Sequence, residues 1–264
     1  MLPFLDTGNA IKSHADAATS RGVLVTGSGT AHTKGSYSEL VTATEFDSCG
    51  LLLRISESSA TGREFIDIAV GAAASEIIIA ENIAVRGSAS TPYIYLPVAI
   101  PAGTRISARL QGDSGSLTCR LQVVAIAQAG PQVPFIGSRI QSYGEDLAST
   151  DGTFEQLTSY TANTKGGWLQ MDAAVADDIF ALCLAQIMFT GSNVQLLVDI
   201  GIGAAASEVV ILENLPFGAN GNVQTAYSPW LPVYVPKGER LAIRFQSNLV
   251  GSGYYPDFLL YGVH

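Results

Sequence analysis

Hydrophobic and polar positions alternate with a period of two along much of this chain. Ile106, Ala108 and Leu110 alternate with Arg105, Ser107 and Arg109, and Leu241, Ile243 and Phe245 alternate with Arg240, Ala242 and Arg244. Successive side chains of a β-strand point to opposite faces, so this pattern predicts strands with one buried and one polar face. Ile66, Ile68 and Val70 alternate in the same way with Asp67 and Ala69. Further strands are predicted over 50–56, 93–99, 119–127, 179–189 and 257–263. Turn residues separate them: Pro101-Ala102-Gly103 and Pro236-Lys237-Gly238 stand just ahead of two of the strands. Proline presets the turn backbone and glycine accepts positive φ. The run Gly71-Ala72-Ala73-Ala74-Ser75 reads as a hairpin loop between β-branched segments, with a single helical turn as the rival.

The pattern occurs twice. Residues 65–83 read FIDIAVGAAASEIIIAENI and residues 197–215 read LVDIGIGAAASEVVILENL, with eleven of nineteen positions identical at an offset of 132. A second pair, LPVAIPAGTRISARLQ at 96–111 and LPVYVPKGERLAIRFQ at 231–246, follows at an offset of 135. A weaker third pair is read between GSYSELVT at 35–42 and GTFEQLTS at 152–159, at an offset of 117. That pairing makes the second copy about fifteen residues longer, with the extra material around 173–189. Repeated blocks in one order define a domain, not a solenoid unit. The expected organisation is an arm over 1–21, a first domain over 22–128, a linker over 129–140 holding Pro131 and Pro134, and a duplicate domain over 141–264. The arm shows no counterpart in the repeat. Seven or eight short strands per copy predict an all-β chain of two tandem homologous β-sandwiches. No Cys…Trp…Cys spacing is present, so jelly roll is preferred to an immunoglobulin-like order.

Composition narrows the function. Charged residues are 14% of the chain and the formal net charge is −9, which argues against nucleic acid and against an anionic membrane surface. Low charge density leaves the neutral surface that subunit contacts use. No apolar run is long enough for a spanning helix, and Met1 to Asp6 do not begin a signal peptide. Cys49, Cys119 and Cys183 are far apart and odd in number, so buried free thiols are expected. His14, His32 and His264 lie away from metal-ligand spacing and are read as solvent-exposed. No metal or other cofactor is implied, and no GxSxG elbow is present.

Two groups of residues stand out. Asp67, Arg105 and Arg109 recur as Asp199, Arg240 and Arg244 and are read as structural charge pairs, each aspartate bonded to an arginine of its own domain. The rival reading is a duplicated carboxylate site for Ca²⁺ or a sugar. The recurring Glu81-Asn82 and Glu213-Asn214 are read as strand-ending turns. Tyr93, Tyr95, Tyr227, Trp230, Tyr254 and Tyr255 fall in variable or Gly-rich stretches and are candidate contacts for a partner protein or a glycan.

The pattern G-[ST]-[YF]-x-x-L, then (V/I)DI(A/G)(V/I)GAAASE, then LPV-x-(I/V)P-x-G-x-R resembles virion structural proteins of tailed phages and prophages, of the tail, fibre and head-decoration types. It is carried by Asp67 to Glu76 and Leu96 to Arg109, and by Asp199 to Glu208 and Leu231 to Arg244. The resemblance implies a non-enzymatic protein assembled in the host cytoplasm into a virion, with other virion proteins and copies of itself as partners and a host surface glycan as a further one. Alternatives are a tandem carbohydrate-binding module and a double jelly-roll capsid protein.

Overall fold

The computed structural model describes residues 11–13, 22–58, 63–86, 93–127, 136–154, 161–188, 194–219, 225–248 and 256–264. Among them there are nineteen strands and no helix, hence no helix long and apolar enough to cross a membrane.

The first copy has eight principal strands: β2 (Val23–Thr26), β3 (Ser38–Val41), β4 (Ser48–Ser58), β5 (Arg63–Val70), β6 (Ile77–Arg86), β7 (Ile94–Leu96), β8 (Ile106–Gly112) and β9 (Thr118–Ala127). One sheet runs β2-β9-β4-β7 and the facing sheet runs β3-β8-β5-β6. The first strand thus lies beside the last and the second beside the penultimate, which is the jelly-roll order. The second copy repeats it. The strands β10 (Ile140–Tyr143), β11 (Thr153–Phe154), β12 (Leu169–Asp172), β13 (Ile179–Met188), β14 (Val194–Ile202), β15 (Val209–Ala219), β16 (Ala226–Tyr227), β17 (Leu231–Val235), β18 (Leu241–Ser247) and β19 (Asp257–Val263) form two sheets. In one, β19 lies between β13 and both β10 and β11; in the other the order is β12-β18-β14-β15.

The cores follow from the alternation. Along β9, Cys119, Leu121, Val123 and Ala125 are buried while their neighbours are only half-buried. Gly71-Ala72-Ala73-Ala74-Ser75 is a hairpin turn: β5 and β6 are antiparallel, Gly71 has φ 108° and Ala74 has φ 66°.

Three features differ from the sequence reading. The counterpart of β3 is β12, not residues 152–159; those begin in β11, which pairs with β19. The true third block is Thr33-Lys34-Gly35 against Thr164-Lys165-Gly166, at an offset of 131, so the fifteen-residue insertion vanishes. The expected segment around 173–189 holds β13, the counterpart of β4. Finally, the first copy also has a counterpart of β10. Ile11–Ser13, within the span read as an arm, form β1, which pairs Ile11 with Ile126 as β10 pairs Ile140 with Val263. The rest of 1–21 lies outside the described residues.

The two sandwiches are joined by sheet extension. β10 lies parallel to β6, with Ile140 opposite Ala80, so a single ten-stranded sheet runs through both copies. Ahead of β10, Gly137 exchanges backbone hydrogen bonds with Pro97 and Ala99 of the first copy, so the end of the span read as a linker is built into the first sandwich. The outward face of the β13–β19 sheet, with Ala181, Cys183, Ala185, Leu259, Tyr261 and Val263, packs into the core cluster of the first sandwich. β19 is therefore buried on both faces, whereas β9 is buried on one.

Candidate functional site

The recurring charged residues form the same cluster in both copies. Asp67 lies in β5, 1% exposed, where a bare carboxylate would be costly. Arg109, directly opposite it on β8, donates from Nε to Oδ2 at 2.7 Å. Lys34 donates from Nζ to Oδ1 at 2.7 Å, and the Asn82 amide donates to the same oxygen at 2.9 Å. In the second copy Asp199 receives Arg244 Nε at 2.9 Å, Lys165 Nζ at 2.6 Å and the Asn214 amide at 2.9 Å. An aromatic ring closes each cluster: Arg109 lies 4.9 Å from the centre of the Tyr37 ring and Arg244 4.6 Å from that of Trp168. Burial pushes the Asp199 carboxyl upward, but the hydrogen bonds from Lys165, Asn214 and Arg244 outweigh it and hold it below the usual carboxylate range.

The asparagines explain why Glu-Asn recurs. Asn82 and Asn214 have φ of 49° and 55° and lie inside β6 and β15, each at an irregularity in pairing with the neighbouring strand. Asparagine tolerates this left-handed conformation better than most residues. They are bulges within a strand, not the strand-ending turns expected, and the aspartate captures the amide that the bulge frees from the ladder.

Arg105 and Arg240 do not reach the aspartates. Arg105 bonds Glu39 at 2.8 Å and Glu76 at 3.1 Å and also donates to the Gly71 carbonyl. Arg240 bonds Gln170 at 3.0 Å, Glu208 at 2.7 Å and the Gly203 carbonyl. Each arginine thus clamps both ends of the GAAAS hairpin to the strand beside it. Lys34 and Lys165, the cations missed in the sequence, were marked by the identical Thr-Lys-Gly tripeptides that the wrong third pairing concealed. With two cations and one amide on each aspartate, the cluster has donors on both oxygens and works as a brace between strands. No group of three His, Cys, Asp or Glu able to hold a metal is found among the described residues.

The candidate aromatics separate into two kinds. Tyr227 donates its hydroxyl to the Ala84 carbonyl, and Trp230 donates Nε1 to the Tyr95 carbonyl at 2.8 Å, so both serve the junction between the copies. Tyr95 lies over Gly50, where its ring would meet any Cβ within 2.4 Å. Tyr93 is 57% exposed, under the Arg54 guanidinium. Tyr254 and Tyr255 lie outside the described residues. Phe180 and Tyr234, which the sequence did not single out, form an exposed pair with ring centres 6.1 Å apart. His32 and His264 are not free in solvent: His32 Nδ1 meets Thr150 Oγ1 across the junction at 2.9 Å, and His264 lies between Tyr143 and the Asp178 carbonyl; His14 lies outside the described residues.

No protein-family model matches the chain, and no curated protein matches it. Among solved structures, PNGF-II is similar at a TM-score of 0.34 and 9% identity, over 93% of this chain and 66% of that one. The CBM22-1–CBM22-2 tandem domain from Paenibacillus barcinonensis Xyn10C is similar at 0.29 and 8%, over 97% and 91%. The structure of infectious bursal disease virus, Gx strain, is similar at 0.25 and 10%, over 84% and 58%. None reaches a TM-score of 0.5, and they define neither family nor function for this chain.

Proposed function

We propose that this chain is a non-enzymatic structural subunit of a larger assembly, a bacteriophage virion component of the tail, fibre, baseplate or capsid surface. The observation that carries the reading is the junction. Two copies of one fold are joined by strand-to-strand extension and by a buried apolar face, and the recurring charged residues are taken up by internal braces. A pair of binding modules needs no such union, whereas a building unit does. The low charge density fits a surface that meets neighbouring subunits, and the net charge of −9 disfavours nucleic acid as the partner. The test is mass spectrometry of particles purified by density gradient from the source culture. Stoichiometric recovery of the chain with the particle is expected; its absence from particles while abundant in the soluble fraction would overturn the reading.

Phe180 and Tyr234 favour a second reading, a carbohydrate-contacting module. Two exposed aromatic rings, tilted 31° to each other, offer apolar faces on which a sugar ring can stack. Glycan-array binding lost on Tyr234→Ala would support it.

A further inference from the structure

The internal repeat shows what an exposed edge of this protein is built to receive. In the first copy, Ile79, Ala80, Asn82, Ile83, Ala84 and Val85 of β6 are buried, and the second copy packs along this edge. Their counterparts in β15 are Ile211, Leu212, Asn214, Leu215, Pro216 and Phe217, at the same offset of 132. β15 ends its sheet, Asn214 and Pro216 are exposed, and Ile211, Leu212 and Leu215 are only half-buried. Beside it is an open cleft of about 380 Å³, lined by Leu215, Pro216 and Phe217 on one side and Ala226, Tyr227 and Leu231 on the other.

The opposite member of the contact is also present. In the second copy the covering face is made of three cross-strand pairs: Ala181 with Val263, Cys183 with Tyr261, and Ala185 with Leu259. The equivalent pairs in the first copy are Gly50 with Ile126, Leu52 with Val124, and Arg54 with Gln122. Leu52, Val124 and Ile126 are half-buried and point outward. β1 stands at the edge of this face in the register that β10 occupies in the second.

One substitution pair selects the occupant. At the internal junction the Ala84 amide donates to the Tyr261 hydroxyl at 2.9 Å. The counterpart of Ala84 is Pro216, which has no N–H, and the counterpart of Tyr261 is Val124, which has no hydroxyl. Donor and acceptor are lost together, so Val124 against Pro216 leaves neither of these groups unsatisfied.

We propose that the β15 edge and its cleft receive the β1–β9–β4 face of a second copy of this chain, repeating between molecules the junction found within one. The contact is heterologous, so it closes into a ring or continues as a filament. The Arg54–Gln122 pair makes it more polar than the internal junction and therefore weaker and reversible. The inference deepens the assembly reading, on which it rests, but its test uses the purified chain alone.

Sedimentation velocity on the wild-type chain should show species that grow with concentration. Pro216→Arg, which blocks the edge, and Val124→Glu, which blocks the face, should each leave a folded monomer at the same concentration, with an unchanged circular dichroism spectrum. Leu52→Lys is the alternative on the face if Val124→Glu fails to fold. Mixing the edge-blocked and face-blocked chains should yield a dimer and nothing larger, because one intact edge and one intact face remain. A monomeric wild type up to a concentration of about 100 μM would overturn the proposal. So would variants that still associate, or a mixture that does not pair, which would indicate a symmetric contact instead. Each of these failures leaves incorporation into a particle through other proteins to be read separately from the particle composition.

Discussion

The hydroxyl of Tyr261 accepts a hydrogen bond from the amide of Ala84 at 2.9 Å and so ties the last strand of one sandwich to the sixth strand of the other. The same hydroxyl donates to the Asn82 carbonyl at 2.9 Å. Tyr261→Phe should therefore destabilise the chain, since it leaves a buried amide without its acceptor, at about 1–3 kcal/mol. Urea unfolding measures this, with Tyr93→Phe as an exposed control of near-zero effect. An equal effect for the two would show that the hydroxyl contributes nothing to the junction.

The aspartate clusters predict a loss of a different kind. Asp199→Ala should cost about 3 kcal/mol or more, because it leaves Lys165 and Arg244 without their shared partner and the Asn214 amide without an acceptor. Its carboxyl is held below the usual range in the folded chain. The stability it adds is then fully present above the unfolded pKa and is lost as pH falls through the folded one. Unfolding midpoints measured between neutral and acidic pH should fall less steeply in Asp199→Asn than in the wild type.

Much of this was legible in the sequence, and the parts that were not have a physical cause. The alternation around Ile106 and Leu241 and the repeat around Asp67 and Asp199 predicted strands, duplication and sandwich, because burial imposes a period and the duplication preserved it. Arg109 stands opposite Asp67 by strand register, which spacing alone did not give; Arg105 has the same spacing pattern and serves the hairpin instead. The third block was misplaced because its similarity lies in three residues, Thr33-Lys34-Gly35, and the flanking strand positions differ. The junction was invisible. Nothing local distinguishes Tyr261 from Val124 until the two sheets are seen edge to edge.

Ala74 and Ala206 occupy left-handed backbone, with φ of 66° and 65°, in the paired GAAAS turns. A Cβ is disfavoured there and glycine is not. Ala74→Gly and Ala206→Gly should each stabilise the chain by about 0.5–1 kcal/mol, the reverse of the usual Ala-to-Gly effect. Thermal unfolding that drops on either substitution would mean that the turn is held by its methyl contacts instead.

Cys49, Cys119 and Cys183 are free and buried. Burial pushes the Cys183 thiol up to about 12, where almost no thiolate exists at mildly alkaline pH. Native chain should give no fast reaction with a thiol reagent, and all three thiols should react after denaturation. Cys183 faces the junction, whereas Cys119 lies in the core of the first sandwich. Tyr261→Phe should accelerate labelling of Cys183 ahead of Cys119, since the junction opens at lower cost than a sandwich core.

The junction also carries a pH dependence of opposite sign to that of Asp199. Glu81 of β6 and Glu145, which follows β10, both lie at the junction, and the Glu145 charge acts on Glu81 from the other copy. Burial raises Glu81 and the Glu145 carboxylate raises it further; burial likewise raises Glu145. Glu145 Oε1 receives Asn82 Nδ2 at 3.4 Å, while Oε2 is buried with no hydrogen-bond partner among the described residues. A carboxyl whose folded pKa lies above its unfolded value favours folding while protonated. That contribution is present below the unfolded pKa and is lost as pH rises through the folded pKa. Between weakly acidic and neutral pH the junction should therefore loosen as Glu81 and Glu145 ionise together. Glu145→Gln keeps the oxygen that accepts from Asn82 and removes the charge. It should stabilise the chain at neutral pH by about 1 kcal/mol, the scale of one buried like-charge contact relieved, and should flatten the fall in stability between weakly acidic and neutral pH, because both carboxyls are raised in the folded chain. Equilibrium unfolding of wild type and Glu145→Gln across that range measures both effects. Parallel curves for the two proteins would show that the paired carboxyls do not govern the junction.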